Sequence, residues 1–500
     1  MLHETVVAGT RAQKRVTISM EADTDAERQL RETAERFGQE HVFRWWDELD
    51  DDKKEALSAQ LKSIDFKRLE RLITSLLDEE SSSEEEGALE PAPVIRVPQT
   101  EEEKRAAKCA KERGEKLLRE GKVCAFVVAG GQATRMGYPG PKGTVPVGPV
   151  TGKSLFQLHA EKILATSRRY GGRIPWYIMT SETNDEPTKR FLREHDHFGL
   201  AADDVRCVVQ DMLPAVDFSG KIIMERKHHI FMSPTGHGAA MWTLYDRGAI
   251  DDMQSRGIEY IFHFQVDNPL LVIADPVFIG YHTLHDAEMS CKVVDKAFPR
   301  ERVGVACIRD GKNVVIEYSD LDDETANERT SDGRLRFWAG SIAQHVYDVS
   351  FVERMRDIVD TMPFHKARKK VPYVNEQGDR VTPEKENGIK FESFVFDALP
   401  YAKNVVHMEI VREREYTPIK TSTGPESPAA AKQRMSNLYG EWLESAGIEV
   451  PRHDSGDVTA AIEISPLYAL DENELASKVD GGLIVGDELY LSEKTEDDGG

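Results

Sequence analysis

From about residue 104 to 410, short apolar runs alternate with amphipathic stretches: CAFVVAG, SLFQLHAEKILATSRRY, WYIMTS, TKRFLREHDHF and IEYIFHFQVDN follow one another in that order. A continuous apolar run reads as a strand covered on both faces, and apolar residues at three- and four-residue spacing read as a helix with one buried stripe. Strand, helix, strand, helix, strand predicts a largely parallel sheet with helices packed over it. Ahead of it, residues 24–77 carry helical periodicity: Leu30, Ala34 and Phe37, then Val42, Trp45, Trp46 and Leu49, then Leu57, Leu61, Ile64, Leu69, Leu72 and Ile73. Several short amphipathic helices are expected, with Trp45-Trp46 anchoring them to the main body. The stretch DEESSSEEEGALEPAP, residues 78–93, is acidic and Ser-rich and then contains Pro; it has too little apolar surface to order itself and reads as a flexible or wrapping linker. Beyond residue 447, VTAAIEISPLYAL and GLIVGDELYL read as short strands. The expected division is a tail over 1–23, a helical region with its acidic linker over 24–103, an α/β domain over 104–446, and a small β-rich C-terminal domain with an acidic tail over 447–500.

Composition narrows the function. A chain of 500 residues can bury more than one core, because single cores stop growing at roughly 250–300 residues. A net charge of -23 argues against coating nucleic acid or an anionic membrane, so a polyanionic substrate must meet a local cluster of Arg and Lys. Five cysteines, Cys109, Cys124, Cys207, Cys291 and Cys307, show no CxxC spacing and suggest neither a disulfide framework nor a zinc site. There is no run of about 18 apolar residues and no apolar signal-peptide core. These features fit a protein of the reducing cytoplasm, and Met20 offers an alternative start. His195, His197, His228 and His229 stand in polar settings without acidic partners at ligand spacing, which reads as surface.

The chemistry concentrates in VVAGGQATRMGYPGPKG, residues 127–143. An apolar strand ends at Ala129, and Gly130 and Gly131 let the backbone turn sharply with its N–H groups exposed, where a phosphate can approach without meeting a Cβ. Such a turn lies at the carboxyl end of the first strand, the ligand side of an open α/β sheet. It is not the G-x-G-x-x-G dinucleotide pattern. It is not a Walker A loop either, and GPVTGKS, residues 148–154, has only three residues between its glycines where a P-loop needs four. Arg135 and Lys142 put two cations on one loop, which suits a triphosphate that must release pyrophosphate.

With these residues, GGQATRMGYPGPKG resembles the L-[AN]-G-G-x-G-T-x-x-G-x(4)-P-K signature of the eukaryotic-type uridylyltransferases, and Gln132 with Thr134-Arg135 is most similar to the UDP-N-acetylhexosamine pyrophosphorylase branch. The resemblance continues through QDMLPAVDFSG (210–220), SPTGHGAAM (233–241), QVDNPLLVIADPVFIG (265–280), KVVDKAFPRERVGV, WAGSIAQH, NGIKFESFVFD and REREYTPIKTS. GQEHVFRWWDEL (38–49) is similar to the family's N-terminal helices and AAIEISPL (460–467) to its C-terminal domain, so coverage runs roughly from 35 to 470. The resemblance implies a Rossmann-like, GT-A-like nucleotidyltransferase domain. It also implies Mg²⁺-assisted uridylyl transfer from UTP to N-acetylglucosamine 1-phosphate, giving UDP-N-acetylglucosamine and pyrophosphate; a monomer is expected, with an oligomer as the alternative, and the charge balance points to no nucleic-acid or membrane partner.

Site roles follow position by position. Arg135 and Lys142 are expected at the leaving pyrophosphate and Lys420, in EYTPIK, at the α phosphate. Ala129, Gly130, Gly131 and Gln132 would cradle the nucleotide, with Gln210 and Gly236 reading the uracil edge beside Gly130. Asp267, where an apolar strand ends, would hold Mg²⁺, which prefers one or two carboxylates plus substrate phosphates. Glu392 is expected at the sugar hydroxyls. Phe394 and Phe396 would wall the sugar pocket, or share a core face as alternate residues of one strand. His237 replaces the family's Asn in G-N-G-G and Ala239 its last glycine; Trp338 and Ser341 replace both Asn of N-A-G-N, around Gly340. Because those Asn contact the sugar in the family, the acetamido group is the part of the ligand these substitutions bear on. The charge run REREY (412–416) reads as a solvated face or a phosphate contact. A UDP-glucose or other UDP-hexose pyrophosphorylase is the alternative reading. In another class stand a nucleotide-sugar-dependent glycosyltransferase and a non-catalytic UDP-sugar-binding protein.

Overall fold

In the computed structural model, which describes residues 25–77, 87–356, 358 and 362–493, the apolar runs lie side by side in an eleven-stranded sheet. Its main path runs Val94–Ile95, Val405–Glu409, Met289–Asp295, Ala339–Asp348, Tyr260–Gln265, Val123–Val128, Trp176–Thr180 and Val205–Val209. Neighbours are parallel except on the two sides of Ala339–Asp348, which runs antiparallel to Met289–Asp295 and to Tyr260–Gln265. The fold is therefore mixed α/β with a large, mostly parallel central sheet. Leu89–Pro91, Val305–Arg309 and Lys312–Ile316 extend it as an antiparallel flank.

Local sequence explains the covering helices. Glu101–Arg119 starts at a capping box, in which the Thr100 hydroxyl accepts from the Glu103 N–H and the Glu103 carboxylate accepts from the Thr100 N–H. Leu155–Tyr170 is capped by Ser154 and closed by Gly171 at φ 79°. Pro276–Leu284 begins with Asp275 as its cap and Pro in its first turn. The helices Glu101–Arg119 and Pro276–Leu284 meet backbone to backbone: a Cβ on Gly114 would sit 1.9 Å from the Pro276 carbonyl oxygen, and one on Gly280 would sit 1.7 Å from that of Ala110.

Two compact units emerge, and each is discontinuous in sequence. The first comprises the described parts of Met1–Glu86, Asp211–Gly236 and Pro363–Ser393. It contains a helix over residues 25–36, Asp51–Ser63 capped by Asp50, and Phe66–Leu77. Ala34, Val42, Trp46, Leu57, Leu61 and Leu69 pack with Leu213, Val216, Ile230, Ile389 and Phe391 in one core. Trp46, 4% exposed, is thus a core residue of this unit. The second unit holds the sheet and also the C-terminal stretch. Ala461–Ile464 and Glu488–Leu491 pair in parallel, and Val458, Ile462, Ile464 and Leu475 join the same apolar cluster as the sheet strands Val123–Val128 and Tyr260–Gln265. The fully buried Glu463 accepts from the Val150 and Thr151 N–H groups and the Thr151 hydroxyl.

Unit boundaries thus differ from the sequence segments drawn at 103 and 446, because long-range pairing such as Val216 with Ile389 has no local signature. The expected tail over 1–23 and linker residues 78–86 lie outside the described residues; linker residues Leu89–Pro91 form an edge strand against Val305–Arg309. Among the described residues, no helix is long and apolar enough to cross a membrane.

Candidate functional site

The glycine loop leaves the strand Val123–Val128 and folds back on itself. The Ala133 N–H donates to the Gly140 carbonyl and the Lys142 N–H to the Gly131 carbonyl, both at 3.0 Å. Gly137 and Gly140 supply the left-handed turns, at φ 70° and 114°. Two side chains that sequence reasoning passed over clamp the loop. The Asn184 amide donates to the Ala129 carbonyl at 2.8 Å and the Ser181 hydroxyl to that of Gly130 at 2.8 Å. Their only signal was SETN directly after the strand Trp176–Thr180.

The two leading glycines differ in kind. A Cβ on Gly130 would fall 2.2 Å from Nε2 of the buried Gln210, so the Gln210 amide packs directly against this backbone. A Cβ on Gly131 would meet nothing within 4 Å, so packing does not require glycine there and the space above it is open. Gln132 and Arg135 are exposed on the same loop.

Lys142, at the far end of this loop, donates from Nζ to Oδ2 of Asp267 at 2.6 Å, with 14% and 16% of the two side chains exposed. Asp267 follows the strand Tyr260–Gln265, the parallel neighbour of Val123–Val128, so both groups stand at carboxyl ends of adjacent strands. Burial opposes ionisation of Asp267, but the Lys142 ammonium and its hydrogen bond, with the field of Lys420, hold the carboxyl below its usual range. Lys420 is brought there by its backbone: the Ile419 N–H donates to the Asp267 carbonyl at 3.0 Å. Asn268 ties the same segment on its other side, donating to the Glu415 carbonyl and accepting from the Thr417 N–H. Asn268 is therefore a positioning residue that the V-D-N motif contained unread.

Within the run REREY, Glu413 and Arg414 are exposed, whereas Arg412 and Glu415 are tied into ion pairs. Arg412 pairs with Glu301 at 2.9 Å. Glu415 pairs with the fully buried Lys292, which also meets Asp275 at 2.7 Å. Burial alone would discharge Lys292, and the two carboxylates reverse that and raise its pKa.

Beside Asp267 and Lys420 opens a cavity of about 240 Å³, lined among others by His237, Ser341, Gln344, Glu317 and Phe396. His237 Nδ1 accepts from the Val395 N–H at 3.2 Å, which in neutral imidazole puts the proton on Nε2. Its ring packs against Phe394 and Phe396, 5.3 and 5.7 Å away. These two aromatics do not alternate along a strand: the strand ends at Glu392, and Phe394 caps the 3-10 turn Val395–Tyr401, which brings the rings into a 5.0 Å stack. Phe396 lines the cavity, and Phe394 supports the His237 ring. Gly340 faces packing instead, since a Cβ there would lie 2.8 Å from Val303. Gly236 and Glu392 belong to the first unit, where Gly236 backs onto the Ser393 backbone at φ 82°.

Several residues of this lining carry polar atoms that are buried without a hydrogen-bond partner among the described residues: Ser341 Oγ, both amide atoms of Gln344, and Gln265 Nε2. Leaving such a group unsatisfied costs about 1–3 kcal/mol, so each calls for a partner that the described residues do not supply. No group of three or more His, Cys, Asp or Glu among the described residues is arranged to hold a metal. Asp267 alone fits Mg²⁺ only if substrate phosphates and water complete the octahedron.

A family model described as UTP--glucose-1-phosphate uridylyltransferase matches residues 68–460. The chain is 38% identical over 473 residues to UDP-N-acetylhexosamine pyrophosphorylase-like protein 1 of Homo sapiens, covering 89% of this chain and 93% of that protein. It is 35% identical to UDP-N-acetylglucosamine diphosphorylase 2 of Arabidopsis thaliana, covering 88% and 89%. Among solved structures it resembles the uridine diphosphate N-acetylglucosamine pyrophosphorylase of Trypanosoma brucei in complex with inhibitor, with a TM-score of 0.78 at 25% identity over 95% of this chain and 99% of that one. A putative UDP-N-acetylglucosamine pyrophosphorylase of Entamoeba histolytica gives 0.71 at 33% identity, covering 81% and 99%.

Proposed function

Given that the chain belongs to the UTP--glucose-1-phosphate uridylyltransferase family, we propose that it makes UDP-N-acetylglucosamine and pyrophosphate from UTP and N-acetylglucosamine 1-phosphate. The observation that carries this reading is the convergence of Lys142, Asp267 and Lys420 at the carboxyl ends of two parallel strands, beside a glycine loop with open space above Gly131. The names of its full-length relatives favour the acetamido sugar over glucose. On this reading the central sheet is a GT-A-like nucleotidyltransferase sheet.

The reaction is a direct displacement. A phosphate oxygen of the sugar 1-phosphate attacks the α phosphorus of UTP in line, the α–β bridging bond breaks, and its electron pair leaves with pyrophosphate. No side-chain nucleophile takes part, so positioning and charge neutralisation supply the rate. Lys420 meets the α phosphate, where negative charge builds. Lys142 uses the N–H groups not committed to Asp267 for the departing phosphates, joined by the exposed Arg135. Gln210 and the backbone at Gly130 read the uracil edge, and Ala129, Gly131 and Gln132 complete the cradle. His237, Ser341 and Phe396 face the sugar. Mg²⁺, held by Asp267 together with the phosphates, would neutralise the triphosphate and orient it. The five cysteines are free thiols, which suits the cytoplasm; a monomer suffices for this site.

The test is pyrophosphate release from UTP with N-acetylglucosamine, N-acetylgalactosamine and glucose 1-phosphates, each with and without EDTA. Release with the acetamido sugars that stops in EDTA is expected. Preference for glucose 1-phosphate would shift the assignment to a UDP-glucose pyrophosphorylase, and full activity in EDTA would remove Mg²⁺. Tight UDP-sugar binding without turnover would indicate a binding protein.

A further inference from the structure

We propose that Gln344 reads the acetamido group of the sugar, because an irregular stretch of Ala339–Asp348 sets this buried residue in the wall of the cavity beside Asp267 with both amide atoms unbonded among the described residues; the assignment rests on the acetamido-sugar reading above.

In a regular strand only alternate residues face one side. Here Ser341, Ile342, Ala343 and Gln344 all line the same cavity. The register explains how. Cys291 pairs with His345, but two residues on, Val293 pairs with Ser341 instead of Ala343, so the strand carries surplus residues at 342–344. Ala343 absorbs them in the left-handed region at φ 53°, a conformation that costs a residue with a Cβ and that persists only where its surroundings impose it. Such bulges re-aim side chains beside functional sites.

What is re-aimed is chemically specific. Gln344 is 2% exposed, and neither its Oε1 nor its Nε2 has a hydrogen-bond partner among the described residues. A primary amide offers an acceptor and donors on one rigid plane, the complement of the N–H and C=O that an acetamido group presents. Positions 237 and 341 carry an imidazole and a hydroxyl, and neither matches an amide in that way. Ser341 Oγ and Gln265 Nε2, in two other residues of the same lining, are likewise buried and unbonded among the described residues. A glucose hydroxyl in place of the acetamido group leaves half of the Gln344 amide unmatched.

The experiment measures kcat/KM with UTP for N-acetylglucosamine 1-phosphate and glucose 1-phosphate in the full chain, as wild type, Gln344→Leu and Gln344→Asn. Binding of UDP-N-acetylglucosamine and UDP-glucose is followed by calorimetry on the same proteins. Gln344→Leu should lower kcat/KM for the acetamido substrate on the order of 10²-fold while that for glucose 1-phosphate moves less than about threefold. Gln344→Asn keeps the amide and shortens its reach, so the ratio should fall about tenfold; this variant keeps the proposal falsifiable if the Leu side chain prevents folding. Parallel losses for both sugars would show a merely structural side chain and overturn the proposal, as would an unchanged ratio. A wild type inactive on the acetamido substrate would overturn the activity reading and this assignment together, whereas a wild type that prefers it and variants that keep the preference would overturn Gln344 alone.

Discussion

At the scale of single residues, the pair Lys142–Asp267 decides the electrostatics of the site. Each was legible as a candidate, one from the glycine loop and one from V-D-N, yet nothing in a span of 125 residues announces a 2.6 Å ion pair between them. The pairing has a pH consequence. Asp267 has its carboxyl pKa held below the ordinary value of about 3.9, so it is ionised throughout the neutral range. Its contribution to stability is present above the unfolded-state pKa and is lost only as pH falls through the lower folded value. In Lys142→Met, burial is opposed by Lys420 with less help, and the carboxyl moves up. The expected result is a kcat lower by about 10²-fold, with the acid limb of the pH–kcat/KM profile shifted to higher pH. Superimposable acid limbs in wild type and variant would show that Lys142 does not control Asp267.

At the scale of elements, glycine serves two opposite ends. Gly280 lets the helices Glu101–Arg119 and Pro276–Leu284 touch through backbone, where a Cβ would sit 1.7 Å from a carbonyl oxygen that no rotamer change can move. Gly280→Ala must part the helices, and a loss of about 1–3 kcal/mol is expected from overpacking, read as a lower urea midpoint. Gly131→Ala places its methyl in open space. Its stability should stay within about 0.5 kcal/mol of wild type, while KM for UTP rises. A Gly131→Ala enzyme with normal KM would mean that no ligand approaches this backbone. Neither helix was among the elements read from the apolar pattern, and which faces meet, and how closely, is set by partners distant in sequence.

At the scale of the whole molecule, the chain's C-terminal stretch is part of the second unit's core. Val458, Ile462 and Ile464 lie in the apolar cluster of the central sheet, and Glu463 binds the loop at Val150 and Thr151. Residues 447–500 read in sequence as a separate small domain because their strands are short and set apart from the main alternation. Deleting them should remove cooperative unfolding, seen as loss of the thermal transition by circular dichroism and early elution in size exclusion. A truncated protein that melts like the full chain would show that the stretch folds independently.

The sequence by itself determined the types of the main elements, the mostly parallel sheet and the position of the glycine loop at a strand end, because buried runs, helical spacing and turn glycines are written in neighbouring residues. It also named Arg135, Lys142, Asp267 and Lys420. Only the tertiary structure decided that Asn184 and Ser181 clamp the glycine loop, that Asn268 ties Lys420's segment to Asp267, and that segments 211–236 and 363–393 fold with the N-terminal helices. The register shift around Ala343, which places four consecutive residues in one cavity wall, was equally invisible. The physical reason is the same in each case: these arrangements depend on register and on hydrogen bonds closed between groups tens to hundreds of residues apart, and no local pattern encodes which distant partner a strand or an amide will meet.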